Sequence, residues 1–201
     1  LHGLDARGTD NNAQMNYAAY YFIKYNKRNP AFVVYPQCPV DAYWGLEKRP
    51  DDFNPNNMDI LPNKSYMDIG ILKLIADLQN TYRIDGKRIY IVGHSMGGIG
   101  TLDMIASHPD IFAAAISFCG TINPNRFTTN HEVPLMLYHN VDDNIITVEG
   151  SRQTYQRLLQ LGSEVVYNEG ASGGHICWND AVKTPEMMDW LCSHSIQQTE
   201  E

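Results

Sequence analysis

The chain has 201 residues, of which 43% are apolar and 19% charged, and its formal charge is −8. This is enough for one sizeable core in a single domain over residues 1–201, and the composition excludes a disordered or fibrous protein. The 15 basic residues are scattered, which argues against a nucleic-acid partner, and no run approaches the roughly 18 apolar residues of a transmembrane helix.

Strands and helices alternate from about residue 31. Ala31–Tyr35 (AFVVY) is a short apolar run closed by Pro36 and is expected to be a buried strand. Residues 37–64, rich in Pro, Asn and Asp, form one long loop with room for a short helical turn. A loop of that length in a compact domain points to a functional role. Ser65, with Asp68 three residues on, is a capping-box start for a helix whose apolar face includes Ile71, Leu74 and Leu78. Lys87–Gly93 is a second strand, and MGGIGTLDMIASH is a helix stopped near Pro109. FAAAISFC and Val133–His139 are the third and fourth strands. A helix from Thr147 to Leu161 ends at Gly162, and SEVVYNE is the fifth strand. Thr184 caps a last helix with Pro185 at its first position. Near-continuous apolar strands alternating with helices predict a mostly parallel sheet covered on both faces. Functional loops should then gather at the carboxyl ends of its strands.

The sharpest motif is Gly93-His94-Ser95-Met96-Gly97. A strand runs into it and a helix runs out, so the Ser95 hydroxyl is forced above the sheet as a nucleophile. A serine hydroxyl needs a base to take its proton. Of the later histidines, His108 closes a helix and His194 lies near the end of the chain, while His131 and His139 also precede the last strand. His175 follows the fifth strand in the glycine-rich loop ASGGHICW and is the expected base. Asp142 and Asp143, just past the fourth strand, are the candidate carboxylates to orient it, and spacing alone does not separate them. The oxyanion donors are expected to be the amide of Met96 and that of Leu4 in the opening LHGLDARG segment. This chemistry requires no metal and no organic cofactor. The four cysteines, Cys38, Cys119, Cys177 and Cys192, show no C-x-x-C spacing, so neither a zinc knuckle nor a thioredoxin-like site is indicated; buried thiols and disulfides both stay open.

Taken together, these residues resemble the single-domain α/β-hydrolase esterases related to polyhydroxybutyrate depolymerases, feruloyl and acetylxylan esterases and the "predicted peptidase" esterases. They are more distantly similar to acyl-protein thioesterases. The resemblance covers nearly the whole chain. It rests on LHG with its Asn-rich follow-on, YPQCP with Trp44 beyond it, the segment from Arg88 to Gly120, His139-x-x-x-Asp143, and GGHICW. It implies the α/β-hydrolase fold, favours Asp143 over Asp142, and supports Leu4 and Met96 as the oxyanion pair. Trp178 matches a frequent tryptophan of the His loop, where it walls the substrate site or props the loop. Trp44 and His94 are further expected substrate contacts, within segments also rich in Asn and Tyr. Asn140 stands where the family usually has Gly, and Thr147 where it often has Pro.

In this fold a strand leads into the His-Gly loop and others precede it. The expected architecture is therefore the fold without its N-terminal strands, which another segment or chain would supply. The implied substrates are small or polysaccharide-linked esters, foremost feruloyl or acetyl esters of plant cell walls, acted on by an exported enzyme. A cytoplasmic location is the alternative. Asn63-Lys64-Ser65 is a glycosylation sequon if the source is a secreting eukaryote. A peptidase or thioesterase using the same three residues, and a non-catalytic binding module, are the rival functions.

Overall fold

The apolar runs read above become four paired strands, β1 Tyr90–His94, β2 Ala114–Phe118, β3 Leu135–Asn140 and β4 Val165–Gly170. The computed structural model describes residues 1–15, 17–59, 65–128, 132–179 and 181–197. Among these, the strands form one parallel sheet in the order β1-β2-β3-β4. In register, Tyr90 lies opposite Ala114, Ala115 opposite Leu135, and Leu135 opposite Val165. Because all four strands run the same way, their carboxyl ends share one edge of the sheet, and the loops leaving that edge can meet.

Alternating side chains on each strand feed two cores. Ala115, Leu135 and Leu137 face one apolar cluster, while Ala114, Ile116, Phe118 and Met136 face the other. The first cluster includes Ile71 from helix α2 (Tyr66–Thr81), Ile99 and Leu102 from α3 (Met96–Ser107) and Leu158 from α4 (Glu149–Gln160). The second takes Phe22 from α1 (Tyr17–Tyr25) and Met188 and Leu191 from α5 (Glu186–Ser193). The sheet is thus covered on both faces, as its apolar strands require.

Several sequence expectations are corrected. Ala31–Tyr35 pairs with no strand among the described residues, and Phe32 and Val34 are exposed. A run becomes a strand only when a neighbour accepts from its amides and donates to its carbonyls, and this one instead lines, together with β1, a cleft of about 1060 Å³. Beside β1, the His94 amide donates to the Leu1 carbonyl at 3.2 Å and the Leu1 nitrogen donates to the Val92 carbonyl. Ser65 does cap α2, its hydroxyl accepting from the Met67 amide at 3.2 Å. Asp68, however, is buried and faces Asp103 instead of closing a capping box. The cap of α5 is Pro185, one residue later than the expected Thr184, with αR backbone and no side-chain cap bond. The long loop contains a short 3₁₀ turn at Pro55–Asn57, capped by Asn54. Gly162 follows α4 with φ of 74°, the left-handed ending expected of it. His131 and most of the Asn63-Lys64-Ser65 sequon lie outside the described residues.

Candidate active site

The turn from β1 into α3 carries Ser95 at φ 57°, ψ −119°. A non-glycine residue at positive φ is held only where its surroundings over-determine it. Here the Ser95 amide donates to the Phe118 carbonyl at 2.8 Å and its carbonyl accepts from the Ile99 amide at 3.0 Å. The flanking glycines are sterically required. A Cβ on Gly93 would come within 2.0 Å of the Gly97 carbonyl oxygen, and one on Gly97 within 2.1 Å of that of Leu1. The spacing G-x-S-x-G therefore describes a backbone crossing too tight for a side chain two positions before or two positions after the serine.

The loops after β3 and β4 bring two more groups to this serine. The Ser95 hydroxyl donates to His175 Nε2 at 2.7 Å, and His175 Nδ1 donates to Asp143 Oδ2 at 2.7 Å. The Asp143 side chain is fully buried. Its Oδ1 accepts from the amides of Ile145 and Ile146 at 2.9 and 3.0 Å. His139 Nε2 lies 3.2 Å from its Oδ2 and also donates to the Ile146 carbonyl at 3.0 Å, while the Ser151 hydroxyl donates to His139 Nδ1 at 2.8 Å. Burial pushes the Asp143 carboxyl upward, but the bonds from His139, His175 and the two amides outweigh it and hold it well below the ordinary carboxylate range. The result is a fixed anion behind an imidazole whose other nitrogen faces a hydroxyl, an arrangement fitted to draw a proton from that hydroxyl.

Asp142 points elsewhere. Its carboxylate accepts from the amides of Gly173 and Gly174 at 3.1 and 2.8 Å. Asn140, standing where the resembled family has Gly, donates from Nδ2 to the Gly174 carbonyl at 3.0 Å. The two residues together tie the β3 end to the His175 loop. Sequence reasoning misses His139, Asp142 and Asn140 as supports of the site. The signal for the first is its fourth-residue spacing to Asp143; the others carry no local signal.

The remaining expected residues divide. The His2–Leu4 segment does abut the serine, since a Cβ built on Gly3 would lie 3.6 Å from that of Ser95. Met96 is the first residue of α3, and first-turn amides have no intrahelical acceptor. His94 lies beside His175, with ring centroids 5.2 Å apart, and its Nε2 donates to the His175 carbonyl at 3.1 Å. It therefore ties the His loop through Nε2 while lining the cleft. Trp178 is half-buried, lines the cleft, and packs edge-on to His94 at 6.2 Å. Trp44 is a correction. It is fully buried, its Nε1 donates to the His2 carbonyl at 3.1 Å, and its ring packs edge-on against His2. A residue with no exposed surface cannot meet substrate; Trp44 instead bolts the opening loop to the core. Tyr43 is buried as well, and Asn54 and Asn57 are spent on local turn bonds.

Cys119, Asp143 and His175 each offer one ligand atom within 4.8 Å of the others. Both nitrogens of His175 are engaged with Ser95 and Asp143, so a cation there would have to displace a bond the chain already makes. Among the described residues no helix is long and apolar enough to cross a membrane.

A crystal structure of a thermostable esterase superposes with a TM-score of 0.81 at 33% identity, covering 97% of this chain and 53% of that one. The crystal structure of SOBER1 from Arabidopsis thaliana shares the fold with a TM-score of 0.65 at 17% identity, covering 94% of each chain. The ferri-bacillibactin esterase BesA of Bacillus subtilis (strain 168) is 29% identical over 123 residues, 51% of this chain and 43% of that protein. Acetylxylan esterase A of Emericella nidulans is 26% identical over 109 residues, 54% of this chain and 33% of that protein. The matched residues thus span less than half the length of these curated relatives. The family model described as "Putative esterase" matches residues 1–195, and with the α/β-hydrolase sheet and the serine turn in place, the chain belongs to that esterase family.

Proposed function

We propose that the protein hydrolyses carboxylic esters in two acyl-transfer steps, with Ser95 as nucleophile, His175 as general base and acid, and Asp143 as the group that orients His175. The observation that carries this reading is the unbroken chain of two 2.7 Å hydrogen bonds from Ser95 through His175 to Asp143. In the first step Ser95 Oγ attacks the ester carbonyl carbon while His175 Nε2 takes its proton. The amides of Leu4 and Met96 receive the charge that develops on the carbonyl oxygen. His175 then returns the proton to the departing alcohol, leaving an acyl group on Ser95. Water repeats the sequence, releasing the acid and restoring the hydroxyl. The fixed Asp143 carboxylate keeps the Nδ1 proton in place and stabilises the imidazolium while it lasts.

The substrates proposed are acetyl or feruloyl esters of plant cell-wall polysaccharide, met by an exported enzyme. Support comes from the similarity to an acetylxylan esterase and from the resemblance carried by the motifs. Burial of Trp44 and Tyr43 removes the aromatic stacking expected of that segment, so ring recognition falls to Trp178. The test is a substrate panel: acetyl, feruloyl and longer acyl esters of xylose and simple alcohols, with a thioester and a peptide alongside. Acetyl and feruloyl esters should be turned over fastest, and a faster thioester or peptide would transfer the same machinery to a different class. Ser95→Ala should lower kcat on an aryl ester by about 10⁴-fold or more with an unchanged far-UV circular dichroism spectrum. Undiminished turnover by that variant would refute the nucleophile.

A further inference from the structure

Cys119 and Cys177 are 58 positions apart in the chain, yet their sulfurs lie 2.7 Å from each other. Cys119 directly follows β2, is buried, has φ of 48°, and is anchored by its amide to the Tyr138 carbonyl at 2.9 Å. Cys177 stands two residues beyond His175 and points its thiol at that same Tyr138 carbonyl, at 3.3 Å. Cys119 Sγ in turn donates to the His175 carbonyl at 3.2 Å. The other two cysteines pack in separate places, Cys38 in the first apolar cluster and Cys192 against the second.

We propose that Cys119 and Cys177 form a disulfide that clasps the His175 loop to the carboxyl end of β2. The loop's amino-terminal side is already held, by Asp142 on Gly173 and Gly174 and by Asn140 on the Gly174 carbonyl. Its carboxyl-terminal side, leading into the Cys177–Trp178 turn, is where a covalent tie adds most. A disulfide needs sulfurs about 2.05 Å apart, so closing the bond asks for a movement well under the length of a covalent bond. It would enclose nearly sixty residues, and cross-links over long loops restrict the unfolded chain the most.

The oxidant is a small disulfide such as oxidised glutathione. Cys177 is the more accessible of the two and is the entry point; burial pushes the Cys119 thiol upward, away from ionisation. The Cys177 thiolate attacks the small disulfide and expels one thiolate, forming a mixed disulfide. Cys119 attacks the Cys177 sulfur as its proton passes to the departing second thiolate, which leaves as a thiol. Two protein thiols are oxidised by two electrons, and one small disulfide is reduced to two thiols. The Cys119 bond to the His175 carbonyl is lost, but His94 Nε2 still donates to that oxygen.

The test uses the whole chain equilibrated with oxidised glutathione, quenched in acid, alkylated unfolded, and mapped by mass spectrometry without reduction. A Cys119–Cys177 linked peptide should dominate, with Cys38 and Cys192 alkylated. The oxidised protein should melt about 5–10 °C above the same protein treated with dithiothreitol. Cys177→Ser, which removes one sulfur, should show no such shift with dithiothreitol. Full alkylation of Cys119 and Cys177 after oxidation, a glutathione adduct that stops on Cys177, or an equal shift in Cys177→Ser would each overturn the proposal. Neither readout uses a substrate, so this inference can fail or stand independently of the esterase reading.

Discussion

Asp142 and Asp143 are neighbours in the chain with carboxylates that serve different partners. Asp143 is sealed beneath His175, whereas Asp142 is exposed and holds two glycine amides of the His loop. Replacing Asp143 with Asn keeps the shape but frees the His175 tautomer, and kcat on an aryl ester should fall about 10³–10⁴-fold. Asp142→Asn keeps one acceptor oxygen and removes one exposed hydrogen bond worth about 1 kcal/mol, so its loss should stay within about tenfold. Steady-state kinetics of the two variants on one substrate checks the contrast, and equal losses would contradict the division of roles.

At the scale of elements, the junction of α2 and α3 holds a buried charge cluster. Asp68 on α2 faces Asp103 on α3, and Asp103 is paired with Arg126, which also donates to the Ser107 hydroxyl at 2.6 Å. Burial and the neighbouring Asp103 push Asp68 up to about 8. Burial raises Asp103 as well, but its ion pair with Arg126 opposes that shift, so Asp68, which has no such cation among the described residues, is the carboxyl that keeps its proton. An unfolded aspartate titrates near 3.9. The native state therefore binds the extra proton, and this contribution is complete below about pH 4 and is lost as pH rises through about 8. Asp68→Asn imitates the protonated form. Its melting temperature should exceed that of the parent by about 2–4 °C at pH 8 and change less between pH 5 and pH 8, as thermal melts at both pH values would show. This cluster is invisible in the sequence, where Asp68 reads as an ordinary capping carboxylate. Its fate depends on a residue 35 positions later that lies across a helix interface.

Across the whole molecule, β2 and β3 serve both apolar clusters, one from each face. Loss of packing on either side should therefore weaken one common unit. Leu137→Ala on the first face and Leu191→Ala on the second should each cost about 2–5 kcal/mol. In both variants, tryptophan fluorescence and far-UV circular dichroism should report one coincident transition in urea. Separate transitions would mean that the faces unfold independently.

Periodicity and punctuation in the sequence determined the four strands, the helices at 66–81, 96–107 and 149–160, and the serine turn, because each depends on neighbours within a few positions. Gly-x-Ser-x-Gly between a strand and a helix already specified a backbone with no room for a side chain two positions to either side of the serine. Only the tertiary structure decided what lies far apart in the chain and close in space. It separated Asp143 from Asp142, buried Trp44 under the His2 loop, left Ala31–Tyr35 beside the cleft and, among the described residues, outside the sheet, and brought Cys119 against Cys177. A hydrogen bond or a thiol contact spanning roughly 30 to 80 residues leaves no local pattern, since it exists only once parallel strands have set their loops side by side.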